Sequence, residues 1–412
     1  MGADAAFLSG TTAEPMLPPT PPCGKQIWAA ALYVHVPFCI VKCRYCDFYS
    51  VAGRESESGA FLDALESELA AAARRIALRP RTVFLGGGTP TRLSADELRR
   101  LGAMLARHAD LSAVEEWTTE ANPATVDEAK AAALLEIGVN RISFGGQSFD
   151  DAELRLLGRE HSAAAIGDSV RLARRAGFRN LNLDMIFGLP GQTLDRWRSH
   201  LEAALALEPD HLSCYDLIYE PGTEMTRELK LGRITPNDED VERAMYAHTL
   251  ERLAEAGFGQ YEVSNFARPG RECLHNLVYW NNEEYLGLGP SAVSYIDGER
   301  RKNVVNLDRW LASVRESGWS APASRERLTG AALAGETAML QLRLRRGIDV
   351  PAFRMRFGLD PLEVFAEPVR RFAEAGLLEA DARRIRITDA GLFVSDTISA
   401  EFLLVPSAAT AV

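Results

Sequence analysis

The sequence predicts an α/β fold. A partial (β/α)6 TIM-type barrel covers residues 31–265, and a smaller α+β, winged-helix-like domain covers 266–412. Three observations carry this. Six short β-type runs alternate with amphipathic helical stretches between Leu32 and about Tyr215, and parallel connections of that kind need crossover helices. Six such units fall short of the eight that close a full barrel. Beyond Phe266 the regular alternation stops.

The candidate strands are Leu32–Val36, Thr82–Leu85, Glu116–Glu120, Arg141–Phe144, Asn180–Ile186 and His211–Tyr215. The helical stretches between them are Ala60–Ile76, Ser94–Arg107, Val126–Glu136, Ser162–Ala176 and Leu194–Leu207. Ser94 and Thr125 stand where N-caps belong, and Gly138 and Gly177 where helices stop. In the second domain, Leu328–Arg343 and Pro361–Ala375 are expected as helices. Leu377–Ala380 and Ile385–Thr388 are expected as a short hairpin.

The 412 residues are 47% hydrophobic and 25% charged, enough for one large core and a smaller domain. A net charge of -11 argues against a general nucleic-acid or membrane-surface binder. No apolar run reaches the roughly 20 residues of a spanning helix. No signal-peptide pattern opens the chain, so a cytoplasmic location is expected. Residues 1–30 hold Pro15, Pro18, Pro19, Pro21 and Pro22 among small residues and are expected as a mobile leader.

Three of the six cysteines fall within eight residues: Cys39, Cys43 and Cys46. A disulfide framework spreads its pairs along a short secreted chain, so this cluster points instead to metal ligation in a reducing compartment. Iron–sulfur clusters are held by thiolates. Three ligands on a four-iron cubane leave one iron open to a further molecule. Zinc, with His35 or Asp47 as fourth ligand, is the alternative for the bare triad.

Parallel barrels gather their chemistry at the C-terminal ends of the strands. Cys39 follows the first strand, Gly86–Pro90 the second, Glu120 ends the third and Gln147 follows the fourth, while Asp184 lies in the fifth. The Gly86-Gly87-Gly88-Thr89-Pro90 turn allows close backbone approach to a ligand. Its spacing does not fit a dinucleotide fingerprint.

The motifs occur in a fixed order. Tyr33-x-His35-x-Pro37-Phe38-Cys39 comes first, then Cys43-x-Tyr45-Cys46-Asp47-Phe48, Gly86–Pro90 and Glu120-Ala121-Asn122-Pro123. Ser143–Phe149, Asn182–Pro190 and His275-Asn276-x-x-Tyr279-Trp280 follow. Together they resemble the oxygen-independent coproporphyrinogen oxidase superfamily of radical S-adenosylmethionine (SAM) proteins, over nearly everything from Leu32 to about Phe402. The resemblance implies a [4Fe–4S] cluster on Cys39, Cys43 and Cys46, with SAM chelated to its open iron. It implies that Tyr33, Gly87, Gly88 and Thr89 cradle SAM with Tyr45 nearby, and that Glu120 accepts hydrogen bonds from the ribose. Gln147, Arg159 and Asp184 would complete the SAM shell. Phe144 and Gly146 depart from the β-branched pair that the family usually places around Gly145.

Within that superfamily the chain resembles the haem-chaperone branch more than the decarboxylating enzymes. The decarboxylases carry a further cysteine just after the cluster motif, where this chain has Asp47 and Phe48, and a longer N-terminal arm. The haem-chaperone branch implies haem as cargo, a recipient haemoprotein in the membrane and an electron donor for the cluster. His275 is then the first candidate for contact with haem, with Tyr279 and Trp280 packing on the porphyrin face. Cys273 is a second candidate contact, Cys214 is expected in the core, and Cys23 in the leader has no role. The alternatives are coproporphyrinogen III decarboxylation and radical SAM chemistry on another substrate.

Overall fold

A computed structural model describes residues 29–403, so the leader other than Ala29 and Ala30, with Cys23, lies outside the described residues. The six expected strands all form: β1 Ala31–Val36, β2 Thr82–Gly87, β3 Glu116–Ala121, β4 Arg141–Gln147, β5 Leu181–Phe187 and β6 His211–Asp216. They lie side by side in chain order, every neighbouring pair parallel. The first five are buried along nearly their whole length, as a sheet covered by helices requires, and β6 is buried except for Tyr215 and Asp216 at its end.

The crossover helices are Ser58–Ala73, Ala95–His108, Glu128–Glu136, Ala163–Ala176 and Leu194–Leu205. Ser94 caps its helix in a full capping box with Glu97. Thr125 does not cap the next helix. Asp127 does, accepting from the Lys130 amide, because the Thr125 hydroxyl is spent on the Asn122 carbonyl at 2.6 Å. Gly177 ends its helix at a φ of 120°, a left-handed conformation that suits glycine.

The sheet does not end at β6. β7 Gly259–Glu262 and β8 Asn265–Ala267 add an antiparallel edge beyond β6. On the other side β9 Tyr285–Leu288 runs parallel to β1. β10 Val293–Ile296, β11 Glu299–Asn303 and β12 Pro322–Arg327 extend the sheet by antiparallel pairing. The twelve strands run β12-β11-β10-β9-β1-β2-β3-β4-β5-β6-β8-β7, so the sheet crosses the expected 265/266 boundary. Glu68, buried on the first helix, ties this extension down. It accepts from the Gly289 amide at 2.8 Å and the Asn303 side chain at 3.0 Å.

Past Arg327 the helix Gly330–Leu342 leads into a separate three-stranded antiparallel sheet. Its hairpin, Leu378–Ala380 with Arg384–Ile387, is the expected wing. The expected helix Pro361–Ala375 is broken at Phe365, whose ring is buried, into Pro361–Val364 and Ala366–Glu374. Among the described residues no helix is long and apolar enough to cross a membrane.

Candidate functional site

Side chains alternate across a strand, so every second residue of an inward-curving sheet faces one space. Arg141, Ser143, Gly145 and Gln147 of β4, Asn182, Asp184 and Ile186 of β5 and Ser213 of β6 line a cavity of about 450 Å³. Gly87, Gly88, Glu120, Asn122, Tyr45, Cys46 and Arg159 complete the wall at the C-terminal ends of the strands.

The cysteine loop hangs over this cavity. Phe38–Cys39 pairs with Val51–Ala52, closing the loop on itself, and the Cys46 amide donates to the Cys43 carbonyl at 3.2 Å. All three thiols are half-buried and free. Burial raises the Cys39 thiol and pushes Cys46 up to about 11. A thiolate there needs a compensating cation, which iron and the Arg159 guanidinium would both supply. Arg159 Nη1 points at Cys43 Sγ at 3.5 Å. Cys39 Sγ lies 3.6 Å from Thr89 Oγ1.

Among the described residues no three metal-ligating groups gather around a single-ion position. The cysteines of a cubane bind different irons and need no such convergence. His35 is not available as a fourth zinc ligand, since its Nε2 lies 2.9 Å from the Tyr49 carbonyl and its Nδ1 3.2 Å from the Tyr33 hydroxyl.

The glycine turn is shaped by what it touches. Gly87 has a φ of 105°, and a Cβ there would fall 2.5 Å from the His35 ring. A Cβ on Gly88 would meet the Pro37 and Phe38 carbonyl oxygens at 2.8 Å, in the strand that leads into the cysteine loop. Only glycine lets these two backbones approach.

Two half-buried carboxylates line the cavity. Glu120 accepts from the Gly87 amide at 3.1 Å. Burial, reinforced by the nearby Asp184 charge, pushes its carboxyl up to about 8. Burial raises Asp184 as well, against hydrogen bonds donated by Ser143 at 3.1 Å and Asn182 at 2.7 Å. Two half-buried acids facing an open space suit hydroxyl donors and positive charge.

Most of the expected SAM shell is therefore brought together: Tyr45, Gly87, Gly88, Glu120, Gln147, Arg159 and Asp184 share one wall. Thr89 stands behind it, accepting from Asn122 at 3.0 Å. Tyr33 does not line this cavity; it faces a neighbouring cleft. Asn122, which bridges Thr89 to Arg159, stands in a sequence motif but carries no expected site role; the same holds for Ser143 and Asn182, and Arg141 is expected only as a strand start.

His275 is not at the cavity surface. It sits near the start of the helix Leu274–Trp280, 1% exposed, with Nδ1 2.8 Å from Thr82 Oγ1 and Nε2 2.9 Å from the Tyr279 hydroxyl. Both ring nitrogens are spent, so the expected haem contact is a core histidine in this structure. Trp280 packs under the Arg343 guanidinium at 4.8 Å, and Cys273 points its thiol at Glu116 at 3.4 Å. Cys273 still lines the cavity floor, while Cys214 is in the core as expected.

A six-stranded parallel partial barrel with a C-x3-C-x2-C loop across its mouth defines a radical SAM protein. The Radical SAM superfamily model matches residues 33–204, and the HemN C-terminal domain model matches 328–394. The chain is 35% identical to "Heme chaperone HemW" of Lactococcus lactis, over 90% of this chain and 97% of that one. It is 35% identical to the Bacillus subtilis protein of the same name, over 90% and 98%. Radical S-adenosyl methionine domain-containing protein 1, mitochondrial, of Bos taurus is also 35% identical, over 92% and 88%. Among solved structures, coproporphyrinogen III oxidase (HemN) from Escherichia coli superposes with a TM-score of 0.80 at 26% identity, covering 92% and 91%. The chain belongs to the HemW family. Membership of the radical SAM superfamily implies a [4Fe–4S] cluster and SAM.

Proposed function

We propose that this chain is a haem-binding chaperone that holds a [4Fe–4S] cluster on Cys39, Cys43 and Cys46, binds SAM beside it and passes haem to haemoproteins. The cluster and SAM together supply one-electron cleavage of a sulfonium to a carbon radical. The chain's own residues bind and orient. Arg159 holds Cys43 and the Gly145 carbonyl in one grip, Glu120 and Asp184 offer acceptors to hydroxyl and ammonium groups, and Gly87 and Gly88 let backbone meet ligand. The recipient is a membrane haemoprotein, the cluster draws on a separate electron donor, and the work is cytoplasmic.

The observation that carries this reading is Asp47-Phe48 directly after Cys46, in a chain that otherwise follows heme chaperones along nearly its whole length. The further cysteine of the decarboxylating relatives is not there. The second reading, propionate decarboxylation, is favoured by the close superposition on coproporphyrinogen III oxidase. Incubation of the reconstituted protein with coproporphyrinogen III, SAM and a reductant separates the two. The chaperone reading expects no protoporphyrinogen IX and stoichiometric haem binding by absorbance titration. Turnover to protoporphyrinogen IX overturns it.

A further inference from the structure

A second cavity of about 590 Å³ adjoins the first, within the range of small-molecule sites. The two share Asp47 and Phe48 of the cysteine loop as a common lip, and Phe48 is 64% exposed. Tyr33 and His35 of β1 form one wall of this second cavity, and Tyr279 and Tyr285 another. The Tyr279 and Tyr285 rings meet edge to face at 4.6 Å between centroids. Flat aromatic walls of this kind receive a flat aromatic ligand.

The far wall is β11, whose Arg300 and Lys302 stand two residues apart and so on one face. Arg300 is engaged by Glu336, with Nη2 donating to Oε2 at 3.1 Å. Glu336 is largely buried and cancels that charge. Lys302 is half-buried at the same wall and forms no ion pair among the described residues. The other acid facing the cleft, Asp47, is exposed at the lip. His35 is held neutral, its burial lowering it to about 4. One cation in an aromatic cleft is left without a counter-charge.

We infer that this cleft is the docking site for haem, with the tyrosines against the porphyrin face and Lys302 as partner of a propionate. The inference rests on the haem-binding reading above and deepens it. It separates cargo from cofactor: haem lies beside the SAM cavity, across the Asp47–Phe48 lip, not within it. It also removes the need for His275 to ligate iron, since Tyr279 supplies a cleft wall while its hydroxyl holds His275.

The test is haem titration of the full chain, followed by absorbance, for the natural protein, Lys302→Glu, Lys302→Met and Lys302→Arg. Haem dimethyl ester serves as the uncharged probe, and circular dichroism confirms that each variant is folded. Charge reversal at Lys302 is expected to weaken haem binding by about tenfold or more, as loss of a charge pair does. Lys302→Met weakens it in the same direction, and Lys302→Arg restores it. The dimethyl ester is expected to bind the natural protein and Lys302→Glu alike. Should Lys302→Glu misfold, Lys302→Met against Lys302→Arg carries the comparison. Natural protein that binds haem, with Lys302 variants that bind it equally well, overturns this site and leaves the function standing. Natural protein that binds no haem overturns the function and the site together.

Discussion

The Arg159 guanidinium reaches 3.5 Å from the Cys43 sulfur with one nitrogen, while the other donates to Asn122 Oδ1 at 2.7 Å and to the Gly145 carbonyl. A single side chain thus joins the cysteine loop to β4 and to the turn after β3. Half-buried in the cavity wall, it acts through a field screened less than at the open surface. A positive charge beside a thiolate ligand favours the reduced, more negative cluster. Arg159→Leu should therefore lower the cluster midpoint potential, on the order of 60 mV for a tenfold one-electron effect. An electron-paramagnetic-resonance redox titration measures it. Arg159→Lys should recover only part of the shift, because a point charge cannot fork.

Replacing Cys39, Cys43 and Cys46 together with Ala should abolish iron–sulfur absorbance and leave the far-ultraviolet dichroism intact. The three thiols are half-buried in a loop and lie outside the apolar core that runs beneath β1 and β2. Cutting them removes ligands without opening a core cavity, so the loss of stability is expected to stay below about 1 kcal/mol. Iron retained by the triple variant would show that the loop is not where the cluster binds.

The barrel was legible because six short β-type runs alternate with amphipathic helical stretches, and because Gly177 and the Ser94 capping box punctuate the crossovers. The site was legible where a motif ends a strand, as at Glu120 and Gln147. Arg141, Ser143 and Asn182 were missed, although each stands at inward parity with a residue already singled out: Gln147 or Asp184. A polar residue repeating at every second position of a strand buried on both faces is the signal that would have found them. The sheet extension was harder. β9 is four residues long, and β12 is exposed along nearly its whole length, so neither shows an apolar alternation. The burial of His275 was not legible: its residue type and motif suit iron, while its two partners, Thr82 and Tyr279, are set by packing that no spacing reveals.

Glu120 gives a pH dependence with a definite sign. Its carboxyl is pushed from an ordinary 4.5 up to about 8. Between those values the folded chain holds a proton that the unfolded chain has lost. The contribution of this group to stability therefore falls as pH rises through that window. Protein without SAM should melt at a lower temperature at pH 8 than at pH 6. Glu120→Gln, which carries no titrating proton, should flatten this slope by an amount of the order of 1–3 kcal/mol. SAM should stabilise the natural protein more at pH 8 than at pH 6, since ligand hydroxyls and positive charge favour the ionised carboxylate. Thermal melts at the two pH values, with and without SAM, measure both effects. An identical slope in Glu120→Gln would count against the assignment.

His275 separates a structural histidine from an iron ligand. Its imidazole bridges the Thr82 hydroxyl on β2 and the Tyr279 hydroxyl on the helix Leu274–Trp280, and the imidazole and Thr82 are buried. His275→Ala leaves both hydroxyls without their partner and opens a small void, which should cost about 1–3 kcal/mol of stability. The ring takes no part in the proposed haem cleft, so the Soret position and haem affinity of the folded variant should match those of the natural protein. A ligand role predicts the reverse pattern: a shifted Soret band and weakened haem binding at nearly unchanged stability. Denaturant melts and haem titration on one preparation distinguish the two, because the first property follows the hydrogen bonds and the second follows the iron.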